Sequence, residues 1–156
     1  MKSIYLVLFF TVILCISCVN NIVFEQKEKI EDDWNFDTEL VYKIPVNDTL
    51  TKYDLIAKVT HSSDFSYQNF YVDLRTTFPN GKSLNDDVSF QLTDGMGSWQ
   101  GRCSSSTCEV ELLLQAKFRF QQLGEYTLGL RNNSREVLKG IDAVELRLEK
   151  IQEEKK

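Results

Sequence analysis

The stretch Phe70-Tyr71-Val72-Asp73-Leu74-Arg75-Thr76-Thr77-Phe78-Pro79-Asn80-Gly81 decides the fold. Phe70, Val72, Leu74, Thr76 and Phe78 share one side of an extended chain, with Tyr71, Asp73, Arg75 and Thr77 on the other. Side chains alternate across a strand, so this row is one half-buried strand. Pro79-Asn80-Gly81 then turns the chain: proline presets φ, while asparagine and glycine accept a positive φ. A second row, Val88, Phe90 and Leu92, follows. The unit is a hairpin with one apolar face, and such a face needs a second layer to cover it.

The same pattern recurs outward in both directions. Leu40, Tyr42, Ile44 and Val46 form one row, and Tyr53, Leu55, Ala57 and Val59 another. Val110, Leu112, Leu114, Ala116, Phe118 and Phe120 make the longest row and point to a bulge within it. Tyr126, Leu128 and Leu130 come next, then Val144, Leu146 and Leu148. Asp94-Gly95-Met96-Gly97, Gly124 and Asn132-Asn133-Ser134 supply turns between the rows. With no long helical period, about seven to eight short strands predict an all-β, antiparallel β-sandwich. We expect it to span residues 34–149, with a charged tail at 150–156.

The amino terminus has a different character. Lys2 precedes an apolar run of 13 residues, Ile4 to Ile16, and then small Ser17 and Cys18. A membrane-spanning helix needs roughly 20 apolar residues for about 30 Å of hydrocarbon, and polar Asn20 and Asn21 follow at once. Charged start, short apolar stretch and small residue make a secretion signal. Cysteine directly after the cut makes it a lipoprotein signal, with Cys18 acylated and residues 1–17 removed. A plain signal peptide is the alternative, because Leu14 stands four residues before Cys18 and Cys15 occupies the favoured place three before. Residues 18–33 are largely polar and charged, with a brief apolar patch at Ile22, Val23 and Phe24, and read as a lipidated tether.

The whole chain carries −5; losing Lys2 with the signal leaves −6. Nucleic acid is not expected as a partner, since phosphate recognition needs clustered Lys and Arg. The membrane is the expected partner, through acyl chains rather than charge. Of four cysteines, Cys15 leaves and Cys18 is acylated. Cys103 and Cys108 remain in an oxidising compartment, where a disulfide is favoured over two free thiols or a metal site. Two thiolates are too few for zinc, and the one histidine, His61, is distant in sequence.

No catalytic constellation emerges, and no cofactor is expected. His61 lies in a polar Thr-His-Ser-Ser stretch and reads as a solvated loop or strand-end residue. Ser62 and Ser63 lack the strand–turn–helix setting of a nucleophile elbow. Asp86, Asp87 and Asp94 are oxygen donors of the kind calcium takes, but turn and strand-end roles are favoured. Trp34, Tyr71 and Trp99 are candidate partner contacts, because buried aromatics carry much interface energy. For Trp34 and Trp99, structural roles at a sandwich edge and at the core's end are favoured, while Tyr71 faces opposite Phe70 and Val72 and is the better exposed candidate.

Several segments, in order, carry a resemblance: Cys18 and Val23-Phe24-Glu25; Trp34; Tyr42 to Val46; Lys52-Tyr53-Asp54-Leu55; Tyr67 to Val72; Pro79-Asn80-Gly81; Asp86-Asp87-Val88; the glycines from Gly97 to Gly101; Gly124-Glu125-Tyr126; and Arg135 to Val144. Together they resemble the gliding-motility lipoprotein family of the GldH type, found in Bacteroidetes, over essentially the whole mature chain. The Cys103–Cys108 insert departs from it, as does Asp87 where threonine is expected. The resemblance implies a membrane-anchored, non-enzymatic component of gliding, associated with the type IX secretion apparatus. Its partners would be other gliding and secretion proteins of the envelope. Lacking an acidic cluster after Cys18, it should face the periplasm, with the outer membrane favoured over the inner. Asp48-Thr49-Leu50 also fits a short O-glycosylation signal of exported Bacteroidetes proteins, at Thr49. A glycan-binding sandwich is the alternative function, by analogy of fold alone.

Overall fold

Each predicted row becomes a strand, and the strands stack as two antiparallel sheets. The computed structural model describes residues 21–151. Its strands are β1 (Ile22–Lys29), β2 (Trp34–Asn35), β3 (Glu39–Val46), β4 (Tyr53–Ser62), β5 (Asn69–Thr77), β6 (Ser83–Gln91), β7 (Arg102–Cys103), β8 (Thr107–Phe118), β9 (Gly124–Asn132), β10 (Val137–Leu138) and β11 (Ile141–Lys150). One sheet runs β1-β11-β4-β8-β7 and the other β3-β9-β5-β6, with β2 and β10 pairing separately. The architecture is the antiparallel sandwich that the alternation predicts.

Register follows the apolar rows. Phe70 pairs with Phe90 and Val72 with Val88 across the β5–β6 hairpin. Its turn closes where the Phe78 amide donates to the Lys82 carbonyl at 2.8 Å, with Gly81 at φ 80. The long β8 row carries its bulge where register slips between Leu55↔Gln115 and Ile56↔Leu113. Aromatic clusters close both ends of the core. At one end Phe120 meets Tyr126 at 4.8 Å and Tyr53 at 5.6 Å. At the other, Trp34 packs edge-on against Phe70 at 6.1 Å, and Phe65 and Trp99 crowd His61.

The expected tether over 18–33 is corrected over half of its length. Residues 22–29 are strand β1, paired along β11 from Ile22↔Glu149 to Lys29↔Ala143. The outward face of β1 sets Glu25 opposite Arg147 and Lys27 opposite Glu145, pairs that stabilise a strand without apolar alternation. Glu145 in turn binds Lys58 on β4 at 2.8 Å, and Arg147 binds Glu111 on β8 at 3.0 Å. Inward, the Gln26 side chain donates to the Val41 carbonyl on β3 at 3.0 Å and accepts from the Lys43 amide at 3.4 Å. A glutamine amide thus presents the same donor and acceptor as a backbone peptide, and it ties the two sheet edges together. The sandwich therefore begins at β1, not at residue 34. At the other terminus Lys150 ends β11, and residues 152–156 of the expected tail lie outside the described residues.

On the outer face of the second sheet, Glu39 reaches across β9 to Arg75, 2.6 Å away on β5. Gly129 makes this crossing possible, since a Cβ there would lie 2.4 Å from the Glu39 carboxylate.

Candidate functional site

The connections sort into two opposite ends. At one end lie the β3–β4, β5–β6 and β8–β9 loops together with Asn21 and Ile151. Hydrogen bonds join them: Lys150 amide to Asn21 carbonyl at 2.8 Å, Ile151 amide to Lys52 carbonyl at 3.0 Å, and Arg119 Nε to Leu50 carbonyl at 2.9 Å. At the far end lie the β4–β5, β6–β7 and β9–β10 connections and the Cys103–Cys108 disulfide.

Of the expected contact residues, Tyr71 is the exposed one, at 51%. It sits on the outer face of β5 near the far end, held through its backbone. Its carbonyl accepts from the Asn133 amide at 3.0 Å and from the Ser134 hydroxyl at 3.2 Å. The β9–β10 loop that supplies these groups is organised by buried Asn132. The Asn132 amide donates to the Trp34 carbonyl at 3.0 Å and the Arg135 carbonyl at 2.8 Å, and its oxygen accepts from the Ser134 amide at 2.9 Å. The loop forms a ridge between two shallow depressions. One, of about 390 Å³, is lined by Tyr67, Asn69, Tyr71, Asn133 and Arg135. The other, of about 470 Å³, is lined by Phe36, Asp73, Arg131 and Arg135. Phe36 is exposed.

The sequence reading missed Phe36 and Arg135 as surface features. Phe36 lies outside every alternating row, which is the one available signal. The Arg135 guanidinium lies 3.8 Å above the Tyr67 ring, a cation–π contact. That stacking occupies the ring face a sugar would need, so Tyr71 is the free aromatic of its depression.

Trp34 and Trp99 take the structural roles favoured for them. Trp34 is fully buried, with Nε1 donating to the Thr38 carbonyl at 3.0 Å; pairing of β2 with β10 folds it inward against Phe70. Trp99 is half-buried and packs on His61 at 4.8 Å between ring centroids, in the core-plugging role. His61 stands at a strand end as expected but is not solvated: it is fully buried at the end of β4, directly opposite Cys108. Polar neighbours in sequence gave no sign that Trp99 and Phe65 would cover it.

Cys103 and Cys108 form the favoured disulfide, adjoining β7 to β8. Asp86 lines an inter-sheet cleft, Asp87 accepts from Asn133 on the outer face at 2.9 Å, and Asp94 caps the Met96 and Ser98 amides at 2.9 Å each. Neighbours on a strand point to opposite faces, so these carboxylates do not converge. Among the described residues no group of His, Cys, Asp or Glu could hold a metal. Asp48 receives the Leu50 amide at 2.8 Å and the Thr51 hydroxyl. These bonds, Thr51 first, hold its carboxyl below the usual range. The Asp48-Thr49-Leu50 stretch is therefore also a built turn. Cys18 lies outside the described residues.

The cleft that Asp86 lines, about 460 Å³, opens between edge strand β6 and the part of β8 that β7 does not cover, and is bordered by Leu74, Phe78, Leu84, Leu114 and Phe118. Its walls are mostly apolar, with Thr76, Asp86, Gln115 and Arg119 among them, and no set of reactive groups converges there.

The profile described as GldH lipoprotein matches residues 22–148, from β1 into β11. The gliding motility lipoprotein GldH homolog of Christiangramia forsetii is 27% identical over 149 residues, covering 90% of this chain and 91% of that one. The gliding motility lipoprotein GldH of Flavobacterium johnsoniae is 23% identical over 141 residues, covering 89% and 87%. The chain belongs to the GldH lipoprotein family.

Proposed function

We propose that this gliding-motility lipoprotein is a non-enzymatic docking component of the envelope machinery for gliding and type IX secretion. Acyl chains on Cys18 hold it to a membrane, facing the periplasm, with the outer membrane favoured. The observation that carries the docking role is the placement of Tyr71, Phe36 and Arg135 at the end of the sandwich opposite Asn21. Tyrosine and arginine dominate interface energetics because each joins a large contact area to a directed polar group. An anchored domain offers its far end to other proteins, and a rigid sandwich keeps that patch at constant height.

A photo-crosslinking residue at position 71, in the native host, tests this reading. The expected result is adducts with gliding or secretion proteins of the envelope, lost when the probe is moved to Lys43 on the same sheet face nearer the opposite end. Binding to purified envelope polysaccharide, with no protein adduct at position 71, would overturn it in favour of the glycan reading.

A further inference from the structure

We propose that the end of the sandwich bearing Asn21 lies directly on the bilayer, with Leu50 and Leu123 entering its interface. The inference rests on acylation of Cys18. The structure shortens the leash: Asn21 is already hydrogen-bonded to Lys150, and only Val19 and Asn20 separate it from Cys18. Three residue steps span at most about 11 Å. A tether reaching to residue 33 would have let the domain stand off or tumble, whereas this one holds one particular end against the lipid.

That end presents apolar side chains at loop tips. Leu50, in the β3–β4 loop, is 83% exposed, and Leu123, beside Gly124 at the start of β9, is 62% exposed. Both loops are braced from below. Asp48 caps the first, and Arg119 joins it to the end of β8. Pro79 packs against Gly124, where a Cβ would lie 2.9 Å away. Side chains held outward on rigid loops enter an interface at little entropic cost. Exposed Lys82 and Arg119 flank them in an otherwise acidic chain, suited to lipid headgroups. Met96, more exposed than either, sits at the far end and serves as the control.

The test uses the acylated protein, reconstituted in vesicles of phosphatidylethanolamine with a minor fraction of phosphatidylglycerol. Single variants Leu50→Cys, Leu123→Cys and Met96→Cys are labelled with an environment-sensitive fluorophore, the native thiols being acylated or disulfide-bonded. Labels at 50 and 123 are expected to brighten several-fold, shift to the blue and be quenched by brominated lipid, while the label at 96 does none of these. Flotation separates the two levels of failure. Protein that floats with its 50 and 123 labels in water, or with the 96 label quenched, overturns the orientation alone. Protein that does not float overturns the anchor as well. A glycan on Thr49 in native protein would also exclude bilayer contact at Leu50.

Discussion

Tyr42 joins the two sheets through its phenol, and replacing it with phenylalanine should give a pH-dependent signature. Its ring is fully buried on β3, and its hydroxyl donates to the Val144 carbonyl on β11 at 2.8 Å. Tyr42→Phe conserves ring volume and removes one buried hydrogen bond, a loss of about 1 kcal/mol at neutral pH. Burial first, then the nearby Glu28 and Glu145 carboxylates, hold the phenol well above the usual tyrosine range. In the unfolded chain it ionises near pH 10. Above that pH the unfolded state sheds a proton that the folded state keeps, so stability is full below about pH 10 and falls as pH rises. One such group loses about 1.4 kcal/mol by about pH 11. The phenylalanine variant escapes this loss. Its disadvantage should shrink above about pH 10 and vanish near about pH 10.7, where the two terms are equal. Urea unfolding of the unacylated mature chain, followed by tryptophan fluorescence at a series of pH values, measures the difference; the other titrating groups cancel in the comparison. A difference that stays flat through about pH 11 would show that the phenol ionises as readily folded as unfolded, and the inter-sheet bond would lose its account.

Two further outcomes follow from the backbone and the disulfide. Gly101 has φ +79, and a Cβ there would fall 2.0 Å from the Glu109 carbonyl oxygen; Gly101→Ala should cost about 2–3 kcal/mol. Gly81 has φ +80 with open space around it, so Gly81→Ala should cost about 1–2 kcal/mol from the left-handed backbone alone. Paired urea midpoints check both, and equal losses would refute the clash. Reducing Cys103–Cys108, which spans five positions, should remove about 2 kcal/mol through loop-closure entropy. A urea midpoint unmoved by reductant would show that the β6–β8 end holds without the link.

Legibility in the sequence follows residue context. The β5–β6 hairpin was readable because Phe70, Val72, Phe90 and Leu92 alternate and Pro79-Asn80-Gly81 turns, both local signals. Tyr71 was readable as exposed by parity alone. Structural roles were favoured for Trp34 and Trp99, but residue type alone could not say how deeply each is buried: a tryptophan's burial depends on which strand folds over it, and β10 lies about a hundred positions beyond Trp34. His61 was misplaced because its cover, Phe65 and Trp99, comes from two separate loops. Arg135 carried no local sign that it would stack on Tyr67.

The sequence by itself determined which faces of the central strands turn inward, since apolar side chains leave water and a strand's period is two. It also carried the family's ordered segments and the thiol after the apolar leader. Only the tertiary structure decided that Ile22–Lys29 is a strand. Its inward Gln26 and Glu28 satisfy no apolar pattern, and its stability comes from partners on β11 and β3, more than a hundred and about fifteen positions away. Pairing energy of that kind exists only once the distant strands are in place, so no local reading can contain it.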